Sequence, residues 1–161
     1  MQAADPARQL HDARQLQRLR ALRERTAMNA LRAAEAEERA AEQTAQAREA
    51  ALLRLQARRQ QLAERVVGEL AGRIARLADC VSALQADLDD QLERTEYALI
   101  DDEEALAAAR EKTAQARAQW LRAVSQHGAA GTLVTEARAA VHRQRETRQE
   151  REDAPAPMPT P

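Results

Sequence analysis

Apolar residues recur at Leu70, Ile74, Leu77, Val81, Leu84 and Leu88 in alternating steps of four and three. That alternation keeps one narrow stripe on one side of an α-helix, as in a coiled-coil seam. The stripe goes on through Leu92, Thr95, Leu99, Asp102, Leu106, Ala109, Thr113, Ala116 and Trp120, with two four-residue steps falling together around Leu88. Such an insertion is a stutter, which relaxes a supercoil locally without breaking the helix. The seam is expected to weaken after Leu106, where Ala and Thr replace Leu. A stripe of this width cannot hide itself from water, so the pattern demands a packing partner.

The first half of the chain supplies one. From Arg8 to about Arg65 it is rich in the strong helix formers Ala, Leu, Arg, Gln and Glu. Asp5 is a candidate N-cap, with Pro6 at the first helical position. The seam can be framed as Leu19, Leu22, Thr26, Asn29, Ala33, Ala36, Ala40, Gln43, Ala47 and Ala50, slipping to Leu52, Leu55, Arg59, Leu62 and Val66. Asn29 in that frame either fixes register or is tolerated. The five prolines lie at the ends (Pro6, Pro155, Pro157, Pro159, Pro161), and the four glycines form two clusters, Gly68 with Gly72 and Gly128 with Gly131. Nothing else punctuates the helical tract.

The expected fold is all-α: a long antiparallel two-helix coiled-coil hairpin with a flexible Pro-rich C-terminal tail. Residues 1–7 read as a frayed end and 8–152 as the hairpin. Within it, arm one covers about 8–67, a turn region about 66–82, arm two about 82–127 and a final helical segment about 132–152. Residues 153–161 form the tail. Ser82 with Gln85, preceded by Val81, reads as a capping box for arm two. The counter-reading is a continuous rod, since Leu70, Ile74 and Leu77 keep helical spacing across the turn region.

Charge favours the hairpin. From Asp79 to Glu104 there are ten acidic residues against one base, Arg94. Folding back near residue 74 sets that block beside Arg48, Arg54, Arg58, Arg59 and Arg65, and sets Glu35, Glu37, Glu38 and Glu42 near Arg110 and Lys112. Exposed pairs contribute only about 0–1 kcal/mol each, so the pattern selects register more than it stabilises.

Composition narrows the function. The chain has no Phe, one Trp, one Tyr and 32% charged residues, the mixture of long helices with thin cores. A net charge of −1 argues against bulk attraction to a polyanion, and bases have almost no aromatic residue to stack on. A single cysteine, Cys80, excludes an internal disulfide, fits a reducing compartment and reads as a small seam-adjacent apolar residue. No window approaches a membrane span and the first residues carry no signal-peptide core, which points to the cytoplasm. His11, His127 and His142 are scattered without metal-ligand spacing, no nucleophile elbow surrounds Ser125 and His127, and no Gly-rich phosphate loop occurs. The expectation is a non-enzyme with no cofactor and no metal.

Three features stand out. Arg18, Arg25, Arg32 and Arg39 recur every seven residues; they either pair with acids on the second helix and solvate the surface, or meet another protein. Trp120 is either a seam plug or a partner anchor. Val66, Val67, Leu70 and Ile74 would be partly exposed at the hairpin tip, where apolar groups suggest docking.

With these pieces the chain resembles the small stalk proteins of bacterial type III secretion, the YscO and FliJ type. The likeness lies in a basic opening (LQRLRALRERTAMNALRAAEAEERAAEQ), a mid-chain Gly-Arg leading into a leucine heptad (GRIARLADCVSALQADLDDQLE), an Ala-rich second helix (ALAAAREKTAQARAQW) and an Arg and Glu-rich end. Gly128, Gly131 and the acidic centre depart from that pattern. The resemblance implies a stalk whose chain ends sit in the hexameric type III secretion ATPase and whose tip reaches the export gate membrane protein, at the inner-membrane face of the apparatus. Contact with free export chaperones is implied as well. Mapped here, the ATPase would meet Arg14, Arg18, Arg25, Arg143, Arg145 and Arg148, and the export gate would meet Val66, Val67, Leu70 and Ile74. The alternative is a coiled-coil scaffold that self-associates through its seam and has no motor partner.

Hairpin and rod differ in one distance. Spin labels at Ala30 and Ala118 in dilute protein are expected about 20 Å apart or closer, whereas unbroken helix between them would separate them by about 130 Å at ~1.5 Å per residue.

Overall fold

The computed structural model describes residues 5–68 and 74–153, with side chains from 77 onward in the second stretch. Two helices account for nearly all of it: α1, Pro6–Gly68, and α2, Ile74–Asp153. The two helices pack against each other, antiparallel. Leu70 and Gly72 lie outside the described residues.

The start of α1 follows from local chemistry. Asp5 Oδ1 accepts a hydrogen bond from Ala7 N at 3.2 Å, and the Asp5 carbonyl accepts from Gln9 N at 3.0 Å. Asp5 is therefore the N-cap and Pro6 the first helical residue, where its missing N–H costs nothing.

The chain divides into two units, to each of which both helices contribute. The chain-end unit comprises Met1–Leu31 and Ala116–Pro161. Its seam is Leu10, Ala13, Gln17, Arg20, Glu24, Ala27 and Leu31 on α1 against Ala116, Trp120, Ala123, His127, Ala130, Val134, Ala137 and Val141 on α2, all buried or half-buried. The mid-chain unit comprises Arg32–Gln115. It pairs Ala34, Glu38, Ala41, Ala45, Arg48, Leu52, Leu55, Leu62 and Val66 with Leu88, Leu92, Thr95, Leu99, Asp102, Leu106, Ala109 and Thr113.

Register is fixed by ion pairs placed symmetrically about Ile74. Arg59 Nε lies 2.9 Å from Asp89 Oδ1, and Arg110 lies 3.9 Å from Glu38 and 3.8 Å from Glu42. Arg48 Nε donates to Asp102 Oδ2 at 2.9 Å, and Lys112 pairs with Glu37. These are the opposite charge blocks that the sequence sets against each other.

Five expectations need correction. The α1 seam does not slip: alternating steps of three and four run from Leu10 to Leu55 and the same frame resumes at Leu62 and Val66 past the exposed Arg59, while Leu19 and Leu22 are 56% and 58% exposed, with Thr26, Asn29, Ala33, Ala36, Ala40, Gln43 and Ala47 exposed too. Asn29 therefore sets no register. Neither does the α2 seam fade after Leu106, because Thr113, Ala130, Val134 and Ala137 are buried. Gly128 and Gly131 lie inside an unbroken α2, as do Ser82 and Gln85, so no capping box forms there. Cys80 is exposed rather than tucked beside the seam. A mid-helix Gly costs only about 1 kcal/mol relative to Ala, which a packed helix absorbs. Neither glycine is required by packing: a Cβ at Gly128 would meet nothing within 4 Å, and one at Gly131 would make an ordinary contact, 3.5 Å, with Gln17 Nε2 on the facing helix.

The frame predicts a sharp contrast between two leucines of α1. Leu31→Ala, at a buried position, is expected to destabilise by about 2–5 kcal/mol. Leu22→Ala is expected to stay within about 0.5 kcal/mol of wild type. Urea denaturation followed by circular dichroism checks both.

Candidate partner-binding surfaces

The surfaces open to a partner are the outward stripes of the two helices and the clefts beside the seam. Among the described residues no three His, Cys, Asp or Glu side chains gather as metal ligands. The three histidines are separately engaged. His11 Nε2 is 2.8 Å from Gln15 Nε2, and His142 Nδ1 is 3.1 Å from Glu146 Oε1. His127 occupies a seam position and its Nδ1 stands 2.5 Å from Glu24 Oε2. That pair and the Arg20–Gln126 hydrogen bond place polar cross-helix contacts in the chain-end unit.

The six arginines assigned to an ATPase contact all belong to the chain-end unit, and all are exposed. Arg148 Nε donates to Glu152 Oε1 at 3.2 Å within its own helix. Arg14, Arg18, Arg25, Arg143 and Arg145 make no ion pair among the described residues. The unit carries thirteen Arg against eight Asp or Glu, a formal charge of +5, while the mid-chain unit carries twelve Lys or Arg against eighteen acids, or −6. The net charge of −1 thus conceals two charged units of opposite sign.

Arg18, Arg25, Arg32 and Arg39 are exposed and none pairs with an acid among the described residues. Counted from the seam they fall on the outward side of α1, which leaves their guanidinium groups available. Trp120 is half-buried at a seam position, and its Nε1 is buried without a hydrogen-bond partner. A buried unpaired donor costs about 1–3 kcal/mol. The ring is a plug, as its seam position requires.

In the mid-chain unit, Val66 is half-buried and Val67 is 80% exposed. Leu70 lies outside the described residues. Ile74 opens α2, and its side chain is not among those described. Of the four residues assigned to an export-gate contact, Val67 alone is placed as an open apolar group.

Sequence reasoning missed a groove in the chain-end unit. Ala13, Leu16, Leu133, Ala137 and Ala140 floor it, Gln9, Asp12, Glu136 and Arg143 rim it, and it holds about 720 Å3. Counting from the corrected seam would have found it, because Leu16 and Leu133 then stand on the same flank of the helix pair.

No family model, no curated protein and no solved structure matches this chain. No helix among the described residues is long and apolar enough to cross a membrane.

The cross-helix pairs should differ in strength with their exposure. Arg48 and Asp102 have side chains 40% and 18% exposed, against 60% and 52% for Arg59 and Asp89. Double-mutant cycles to Ala are expected to give a coupling near the upper end of the usual ~0.2–1 kcal/mol for Arg48–Asp102, and a smaller one for Arg59–Asp89 that vanishes at about 1 M salt.

Proposed function

We propose that the chain is a non-enzymatic stalk of a bacterial type III secretion apparatus. Its two chain ends insert into the hexameric secretion ATPase and its tip meets the export gate at the cytoplasmic face of the inner membrane. Free export chaperones are further partners in this reading.

The observation that carries the reading is the chain-end unit. Segments from the two ends of the chain pair there, and the unit bears a +5 formal charge with Arg14, Arg18, Arg25, Arg143 and Arg145 in no ion pair among the described residues. A pair of helices presenting unpaired guanidinium groups suits insertion into a ring lined with carboxylates. Val67, four-fifths exposed next to the end of α1, suits an apolar docking contact. The rival scaffold, associating through its seam, loses ground because that seam is already occupied within the chain.

Pull-down of the cognate secretion ATPase tests the reading. Wild-type protein is expected to retain the ATPase, and Arg18→Glu with Arg25→Glu to weaken retention by about tenfold or more at unchanged helix content, as loss of two interfacial charges commonly does. Val67→Asp is expected to impair gate contact and spare the ATPase. A folded wild-type protein that neither binds nor stimulates the ATPase refutes the stalk.

A further inference from the structure

The outward faces of a two-helix coiled coil are wetted and are expected to be polar. Exposed apolar side chains break that rule at several places, Leu53, Leu121 and Leu133 among them, and two pairs stand in surroundings of opposite charge. On α1 of the chain-end unit, Leu19 and Leu22 are 56% and 58% exposed, one helical turn apart. Arg18 and Arg25 flank them, both exposed and neither in an ion pair among the described residues. On α2 of the mid-chain unit, Tyr97 and Ile100 are 63% and 51% exposed at the same spacing. Glu93, Asp101 and Glu104 flank that pair, exposed and likewise in no ion pair among the described residues. The one base in the stretch, Arg94, is 3.9 Å from Asp90 on its own helix.

We propose that these two faces bind each other between copies of the chain, the Leu19–Leu22 face of one molecule seating on the Tyr97–Ile100 face of a second. Each face has two apolar side chains one turn apart, which lets them interlock as ridges into grooves. The arginines that border the first then lie against the carboxylates that border the second, in charge-assisted contacts absent from the single chain. Formal charges of +5 and −6 on the units that carry the faces add attraction at longer range. Like faces are kept apart by the same charges, so the contact selects an unlike pair. It joins two different patches, so it is made twice in a closed two-fold pair or once per junction in a head-to-tail ring or filament. Its occupant is a second copy because the complementary surface is carried on the same chain. The seam within each chain stays intact, which separates this association from a scaffold built through the seam.

The test uses the purified full chain alone, so it stands apart from any ATPase binding. Sedimentation velocity is run across a concentration series at low ionic strength, where charges act over about 30 Å, and near 1 M salt, where they act over about 3 Å. Wild type is expected to associate in the first condition and return to monomer in the second. Arg18→Glu with Arg25→Glu, and separately Glu93→Lys with Asp101→Lys and Glu104→Lys, are each expected to weaken association by about tenfold or more. Mixing the two charge-reversed proteins is expected to restore it, because each altered face then meets its complement. Tyr97→Ala, which removes no charge, is expected to weaken it by about tenfold as a central aromatic contact does. The proposal is overturned if wild type stays monomeric up to about 1 mM at low salt, a concentration matching ~4 kcal/mol of binding. It is equally overturned if either reversed protein associates as wild type does, or if the mixture stays monomeric.

Discussion

A seam of small side chains, repeating in steps of three and four, is the constraint from which the rest of this structure follows. Beside Leu31, Leu88 and Leu92, the buried seam residues are Ala, Val or Thr, and among the described residues no large side chain is fully buried. Each layer then removes little apolar area from water. A fully buried Leu contributes about 1.5–3 kcal/mol and an Ala much less. Stability accumulates only by repeating the layer many times, which is why the helices span 63 and 80 residues.

A seam so uniform specifies pairing but not register. Sliding one helix by a heptad, about 10 Å, would set Ala against Ala again at little apolar cost. Polar residues at or beside the seam remove that freedom. Arg48 meets Asp102, His127 meets Glu24, and Arg110 meets Glu38 and Glu42. A slipped register would separate these partners, at most cost for Asp102, whose side chain is 18% exposed, because a partly buried charge left without its partner is destabilising. Thr113 avoids a similar penalty locally, its hydroxyl donating to the Ala109 carbonyl at 3.1 Å. The polar seam positions therefore act on specificity, and the apolar ones hold the helices together.

This division explains what could be read from the sequence. The frame of α2 from Leu88 to Trp120 is legible because its Leu residues are spaced as a seam and few others compete. The upper half of α1 is not, since Ala is as common outside the seam (Ala33, Ala36, Ala40, Ala47) as within it (Ala27, Ala34, Ala41, Ala45). Given that ambiguity, Leu19 and Leu22 attract the frame to the wrong face, while Gln17, Arg20 and Glu24 look too polar to be seam. Counting back by sevens from Leu52 reaches Ala45, Glu38, Leu31 and Glu24, which is the true line. Charge blocks, being long, survived this error and gave the antiparallel pairing. The glycines and Ser82 misled because a punctuation residue weakens a helix by only about 1 kcal/mol, less than the packing of neighbouring turns restores. The open arginines of the chain-end unit were legible as a heptad line, but their lack of partners was not, since it depends on which side of α1 faces α2.

Once the seam is used up inside the chain, whatever this protein recognises must be recognised from the outside. The outward faces gain meaning from that. Apolar side chains left there, Leu19 and Leu22 on one helix and Tyr97 and Ile100 on the other, do nothing for the internal pairing, and a polar residue at each would have served solubility better. Their flanking charges, Arg18 and Arg25 on one face and Glu93, Asp101 and Glu104 on the other, enter no ion pair among the described residues. Net charge hides this arrangement, because +5 and −6 in separate units sum to almost nothing while each unit still presents a field of one sign over a Debye length. A near-neutral helical chain can thus be strongly polar in its encounters, and the spacing of unpaired charges along each helix, rather than their total, decides what it will bind.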